Sequence, residues 1–203
     1  MRWDGSSKDD DESDDNSENI RVVDNDIFFY CDVDTDTILD LNTALNRLEK
    51  RLLKKSIDLP GYKPEINVHI KSNGGDIFAG LSGMDHISSC RLPVNTIADG
   101  ICASAATFIL MGGSKRYIRP SAYVLIHQLS SGFWGKYEDL KNELQSCEKF
   151  MKIIRGIYET RANIPVKTLN AMMKRDIYIT AKECLRYEVV GEIYHGIACK
   201  EQP

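Results

Sequence analysis

INVHIKSNGGDIFAGLSGMDHISSCRLPVNTIADGICASAATFIL, residues 66–110, decides the fold. Ile66–Ile70 is a short apolar run of strand length. Beyond SNGGD, residues Ile77, Leu81, Met84 and Ile87 share one face of a helix predicted from about Phe78 to Cys90, which Arg91-Leu92-Pro93 ends. Val94–Ala98 reads as the next strand, Asp99-Gly100 as a turn, and Ser104–Leu110 as the start of another helix. Strand, helix, strand, helix predicts a largely parallel sheet packed between helices.

The same grammar extends both ways. Upstream, Ile27–Cys31 is a strand candidate, and Asp34–Lys55 reads as a helix carrying Ile38, Leu41, Leu45, Leu48 and Leu52, with Thr35 or Asp36 as its cap. SIDLPGYKPE (56–65), with two prolines and a glycine, reads as a loop. Downstream, strands Lys115–Ile118 and Ala122–Ile126 flank the Arg119-Pro120-Ser121 turn. Gly132 and Gly135 precede a long helix, about Tyr137–Arg161, followed by a short helix, Val166–Met173, and a strand, Ile177–Ile179. Thr180-Ala181-Lys182-Glu183 is a capping box opening a last helix that ends near Tyr187.

The chain has 203 residues, 42% hydrophobic and 28% charged, enough for one domain with a sizeable core. Its formal charge of −4 is unevenly spread. Residues 1–19 carry −6 and the rest +2, so an acidic tail expected to be disordered precedes a single domain, 20–203. No concentrated basic face suggests a nucleic-acid binder. The most apolar stretch, Ile101–Met111, is far too short for a membrane span, and no basic segment followed by an apolar one reads as a secretory leader. Six cysteines lie at 31, 90, 102, 147, 184 and 199, with neither CxxC nor zinc spacing, so no metal site is expected. They read as buried, reduced thiols of a cytoplasmic protein.

Two glycine-bearing turns each join a strand to a helix: Asn73-Gly74-Gly75-Asp76, and Asp99-Gly100 leading to Ser104. Consecutive glycines expose backbone N–H groups to a ligand, and a serine opening a helix sits beside free donors. His127 ends a strand, and Asp176 precedes another. Each residue alone has an ordinary structural reading: a turn, a small packing residue, a satisfied histidine, a surface ion pair. Together they make the set that nucleophilic acyl transfer needs. Serine needs a base to take its proton, an acid fixes the imidazole, and two N–H groups receive the oxyanion. The G-x-S-x-G elbow of α/β-hydrolases is absent.

Taken in order, NVHIKSNGGDIFAG (67–80), ADGICASAATFILMGGSKRYIRPSAYVLIHQ (98–128), SSGFWGKYEDL (130–140) and KRDIYITAKECLRYEVVGEI (174–193) resemble the ClpP family, the proteolytic subunits of Clp proteases. The resemblance runs from about Ile27 to Ile193. It implies an α/β, ClpP/crotonase-like head domain of repeated β-β-α units with a protruding handle helix, the handle region being about 128–161. It implies a serine endopeptidase with Ser104 as nucleophile, His127 as base and Asp176 as orienting acid. The oxyanion donors would be the N–H groups of Gly75 and Ala105. Ser130, Ser131, Gly132, Phe133, Trp134 and Gly135 would pair with substrate as an added strand. It further implies a homo-oligomer of two stacked heptameric rings, fed with unfolded polypeptide by a AAA+ unfoldase of the Clp type. The chain has no P-loop, so no cofactor is expected of it and ATP would be spent by the partner.

Several positions depart from the family pattern. Asn73 stands where proline usually precedes the glycines, and Leu129 follows Gln128 in place of proline. Lys174 replaces an acid that commonly helps Arg175 couple the rings, for which Asp139 is the candidate substitute. The interval from Ser104 to His127 is slightly short, implying a trimmed hairpin, and no axial gating hairpin is recognisable. Three other readings stay open. One is a weakly active or regulatory ring subunit that assembles with a catalytic ClpP paralogue. Another is a viral capsid-maturation protease on the same fold. The third is acyl-CoA chemistry of the crotonase kind, against which the triad argues.

Overall fold

The computed structural model describes residues 19–196. The acidic-tail expectation and Cys199 therefore lie outside the described residues, apart from Asn19. Eight strands form one sheet: β1 (Ile20–Val23), β2 (Asp26–Phe29), β3 (Ile66–Ser72), β4 (Val94–Ala103), β5 (Lys115–Ile118), β6 (Tyr123–Leu125), β7 (Tyr178–Thr180) and β8 (Glu192–Ile193). The helices are α1 (Thr35–Asp58), α2 (Ile77–Ser89), α3 (Ala106–Gly112), α4 (Tyr137–Arg161), α5 (Val166–Met173) and α6 (Ala181–Arg186). The sheet runs β1-β2-β3-β4-β5-β8, with β6 on β4 and β7 on β6. All pairings are parallel except β1–β2 and β6–β7.

Helix α1 forms as its apolar spacing demands, burying Ile38, Leu41, Leu45, Leu48 and Leu52 against the sheet. Its cap is Asp34 rather than Thr35 or Asp36. The Asp34 carboxylate accepts from Thr37 N at 2.8 Å while Thr37 Oγ1 accepts from Asp34 N at 3.0 Å. The helix also runs through Ser56-Ile57-Asp58 before the loop begins. β1 was not legible as a strand; it forms because Ile20 and Val22 pair across to Phe29 and Ile27.

The largest departure lies in β4. The expected turn at Asp99-Gly100 is a kink inside one ten-residue strand. Gly100, at φ +96°, takes a conformation costly for other residues, and the β3 register shifts there. The kink gives β4 two parallel partners in succession. Asn95–Ala98 pair with β5, and Ile101–Ala103 pair with β6. Strands β5 and β6 are thus side-by-side neighbours of β4, not the arms of a hairpin. Helix α3 accordingly starts at Ala106, two residues past Ser104.

Helices α1, α2 and α3 pack on one side of the central strands. On the other side of β2–β5, the expected helical cover is replaced by an aromatic and ionic layer. Phe28 stacks on His69 at 4.8 Å, Tyr194 meets His69 edge-on at 5.5 Å, and Tyr30 donates to Asp99 at 2.7 Å. Helix α4 spans the range read from sequence, but it buries only Ile154, Ile157 and Tyr158 at its C-terminal end. The rest projects, as expected of a handle. Trp134 before it is 97% exposed, and Tyr137, Leu140 and Leu144 on it are exposed.

Candidate active site

The Asn73–Asp76 turn is held as a strand continuation. Val33 N donates to Gly74 O at 2.9 Å and Asp76 N donates to Val33 O at 2.7 Å, which makes Gly75 the centre of a parallel bridge. In that pattern the Gly75 N–H points away from Val33. Glycine is required here twice over. Gly75 has φ +148°, and a Cβ on it would lie 2.2 Å from Val33 O. Gly74 has φ +98°, and its Cβ would lie 2.6 Å from the Cβ of Ser104. The second glycine turn therefore packs directly against the first.

Ser104 follows β4 with φ +54°, a left-handed conformation costing a non-glycine residue about 1–2 kcal/mol. Three bonds hold it. Ser104 N donates to Leu125 O at 2.9 Å, and Ser104 O accepts from Thr107 N at 2.9 Å and from the Thr107 hydroxyl at 2.6 Å. The sharp reversal makes Ser104 part of the cleft lining and leaves Ala105 N free of any protein acceptor among the described residues.

The bond to Leu125 also sets the distance to His127, two residues further on. Gln128 N donates to Met173 O at 2.9 Å, drawing the chain after β6 toward the end of α5 and hence toward Asp176. His127 Nδ1 lies 3.8 Å from Asp176 Oδ1. This is ion-pair range, beyond a direct hydrogen bond. The Asp176 side chain is 81% exposed, that of His127 23%.

Ser104, His127, Gly75 and Ala105 line one cleft of about 210 Å³, with Ile77, Phe108, Leu129, Ile154 and Tyr158 supplying its apolar walls. Asp176 sits behind His127, outside the cleft. Of the segment expected to meet substrate, Ser130 lines the cleft. Ser130–Gly135 as a whole forms no strand in the single chain and is exposed, with Ser131 Oγ donating to Glu143 at 3.2 Å. Asp139 is occupied at the start of α4, where its carboxylate accepts from Lys136 N at 3.1 Å. No ion pair joins Asp139 to Arg175 among the described residues of the one chain.

Sequence reasoning passed over two residues that the cleft uses, Thr107 and Tyr158. Tyr158 was findable, since Ile154, Ile157 and Tyr158 continue a three-and-four spacing at the end of α4. Thr107 sat inside an apolar run with no local signal. Among the described residues no His, Cys, Asp or Glu cluster could hold a metal, and Cys31, Cys90, Cys102, Cys147 and Cys184 are free thiols.

The proteolytic subunit of the ATP-dependent Clp protease of Deinococcus radiodurans is 30% identical over 139 residues, 68% of each chain. The protein of the same description from Pleurastrum terricola is 35% identical over 128 residues, 62% of this chain and 65% of its own. The matched segments thus span about two thirds of the length of these relatives. A ClpP1 mutant from Listeria monocytogenes superposes with a TM-score of 0.72 at 20% identity, covering 85% of this chain and 92% of that one, which shows the ClpP fold. The family model described as Clp protease matches residues 22–196, most of the chain, and on that ground the chain belongs to the Clp protease family.

Proposed function

We propose that this chain is a Clp-type serine endopeptidase subunit, with Ser104 as nucleophile. The observation that carries the reading is the placement of Ser104. It is held in a left-handed turn lining a cleft it shares with His127, Gly75 and Ala105, and the N–H groups of Gly75 and Ala105 find no protein acceptor among the described residues. Asp176 faces His127 through Nδ1, which leaves Nε2 to take the serine proton. The Ser104 oxygen then attacks the peptide carbonyl, and the carbonyl oxygen becomes negative as the two N–H groups receive it. The protonated imidazole passes its proton to the departing amine. Water, deprotonated in turn by His127, releases the acyl group from Ser104.

Apolar walls favour an apolar substrate side chain beside the scissile bond. Backbone pairing with Ser130–Gly135 would give affinity with little sequence preference. The exposed apolar surface of α4, with a groove of about 430 Å³ between Leu144, Cys147 and Met151, suits self-association through the handle. Stacked heptameric rings, with an unfoldase of the AAA+ class delivering unfolded chains and spending the ATP, follow from the family reading. The domain reading, 20–203 as one unit, draws support over the described residues from the continuous sheet and the core cluster packed on it.

The test is covalent labelling of Ser104 by a fluorophosphonate, read by intact mass, beside peptide and casein hydrolysis. Labelling at Ser104, lost in Ser104→Ala together with cleavage while assembly persists, is the expected result. Cleavage by Ser104→Ala overturns the assignment. A second reading, a weakly active subunit completed by a catalytic paralogue, draws on the open position of Asp176. It requires that the purified chain assembles, resists labelling, and becomes labelled when a paralogue is added.

A further inference from the structure

The Ser104–Ala105 peptide has a support that acyl transfer by a triad does not itself require. Thr107 Oγ1 lies 2.6 Å from Ser104 O and 2.6 Å from the hydroxyl of Tyr158, which stands on α4, 51 positions along the chain. The direction of both bonds follows from proton count. A carbonyl oxygen only accepts, so the single hydroxyl proton of Thr107 goes to Ser104 O. Thr107 Oγ1 must then accept from Tyr158. Donation by the phenol polarises the threonine hydroxyl and strengthens its bond to the carbonyl.

We infer that Tyr158 and Thr107 are positioning residues for the oxyanion site, acting through the Ser104–Ala105 peptide plane. The peptide is planar and trans, so its C=O and N–H point in opposite directions. Fixing Ser104 O toward α3 with two bonds from Thr107 fixes the Ala105 N–H toward the cleft. Thr107 is wholly buried and Tyr158 is 1% exposed, so no water competes for these bonds among the described residues. Burial also pushes the Tyr158 phenol well above its ordinary value, which keeps the proton it donates in place at any working pH. The link has a second consequence. Tyr158 stands on α4, whose projecting part is the exposed handle, so a shift of the handle's base reaches the oxyanion donor through two hydrogen bonds.

The inference rests on the peptidase reading, and the experiment separates the two. Tyr158→Phe removes only the donor hydroxyl; Thr107→Val removes the bridge at nearly constant shape; Thr107→Ser keeps it. Each is measured in the assembled protein for fluorophosphonate labelling rate and for kcat and KM on a short peptide. Tyr158→Phe and Thr107→Val are expected to lower kcat and labelling about five- to twentyfold, a fraction of what loss of a whole oxyanion donor costs, with KM unchanged. Thr107→Ser should recover most of the rate, and the double variant should be no slower than Thr107→Val alone, because Tyr158 acts only through Thr107. Tyr158→Phe also covers the case in which Thr107→Val fails to fold. A wild-type chain that labels while Tyr158→Phe and Thr107→Val label equally fast overturns the positioning role alone. A rise in KM at constant kcat does so too. A wild-type chain that neither labels nor cleaves sinks the peptidase reading and this one with it.

Discussion

Gly74→Ala should slow turnover about a hundredfold and lower the stability of the fold along with it. The added Cβ would lie 2.6 Å from Ser104 Cβ, 2.7 Å from Ala103 O and 3.1 Å from Ala105 N. Carbon atoms in ordinary contact stand about 3.5–4.0 Å apart, so Ser104 or the Asn73–Asp76 turn must move by about 1 Å. Neither has slack. Ser104 is bonded to Leu125 and Thr107, and Gly74 O accepts from Val33 N. A nucleophile misplaced by about 1 Å loses on the order of a hundredfold in rate. Holding alanine at φ +98° adds about 1–3 kcal/mol of backbone strain, a fall in Tm of about 2–10 °C for a chain of this size. The assay pairs calorimetry with peptide hydrolysis and labelling at a temperature where both proteins are folded. Gly156→Ala is the control. That glycine lies inside α4 with nothing within 4 Å of the added methyl, so the change should stabilise by about 0.5–1 kcal/mol and leave kcat alone. If Gly74→Ala keeps wild-type kcat, the packing of the glycine turn against Ser104 does not set the nucleophile's position, and the reasoning fails.

Two further outcomes follow from groups away from the cleft. Burial works to raise the carboxyl of Glu49, but the backbone N–H and guanidinium of Arg91 win and hold it below the ordinary range. A depressed carboxyl contributes stability above its unfolded value, near 4.3, and loses it as pH falls through the folded one. Glu49→Gln should therefore cost about 1–2 kcal/mol at pH 7, with the Tm gap to wild type narrowing as pH falls below about 4; a gap constant from pH 7 into the acid range refutes it. Burial also pushes the thiols of Cys90 to about 11, and of Cys31 and Cys184 to about 12, so iodoacetamide at pH 8 should leave all three unmodified in the folded chain, as read by peptide mapping.

What the sequence told and withheld divides by range. The α1 stripe and the bounds of α4 and α5 were readable because spacing by three and four, and the capping signal at Thr180, are local properties of the chain. The cap of α1 was missed by one residue because Asp34, Thr35 and Asp36 are all competent caps, and only the reciprocal bond to Thr37 selects Asp34. The run of β4 through Gly100 was missed because a glycine that kinks a strand and one that ends it look alike in sequence. The choice was made by β6, which offers pairing to Ile101–Ala103 from more than twenty residues away. Candidate site residues were legible as types at strand ends. The union of Gly75, Ser104, Ala105 and His127 in one cleft, and the Thr107–Tyr158 bond across 51 positions, are tertiary facts.

The cleft is built in two halves of different firmness. The turn around Gly75 is bonded to Val33 through Gly74 O and Asp76 N, Ser104 N is bonded to Leu125 O, and Gly74 and Ala105 are buried. A change there disturbs geometry and stability together, because the groups that aim the N–H donors are also core. His127 and Asp176 lie after β6 and before β7, on segments joined by the bond from Gln128 N to Met173 O, and Asp176 faces water. Water screens a pair of charges exposed to it, and the same pair sheltered from solvent interacts several times more strongly. On the proposed mechanism, the strength of this pair is thus set by what covers Asp176. A neighbouring chain laid over the α5–β7 loop would, on that reading, strengthen the pair without moving a residue of the half that holds Ser104.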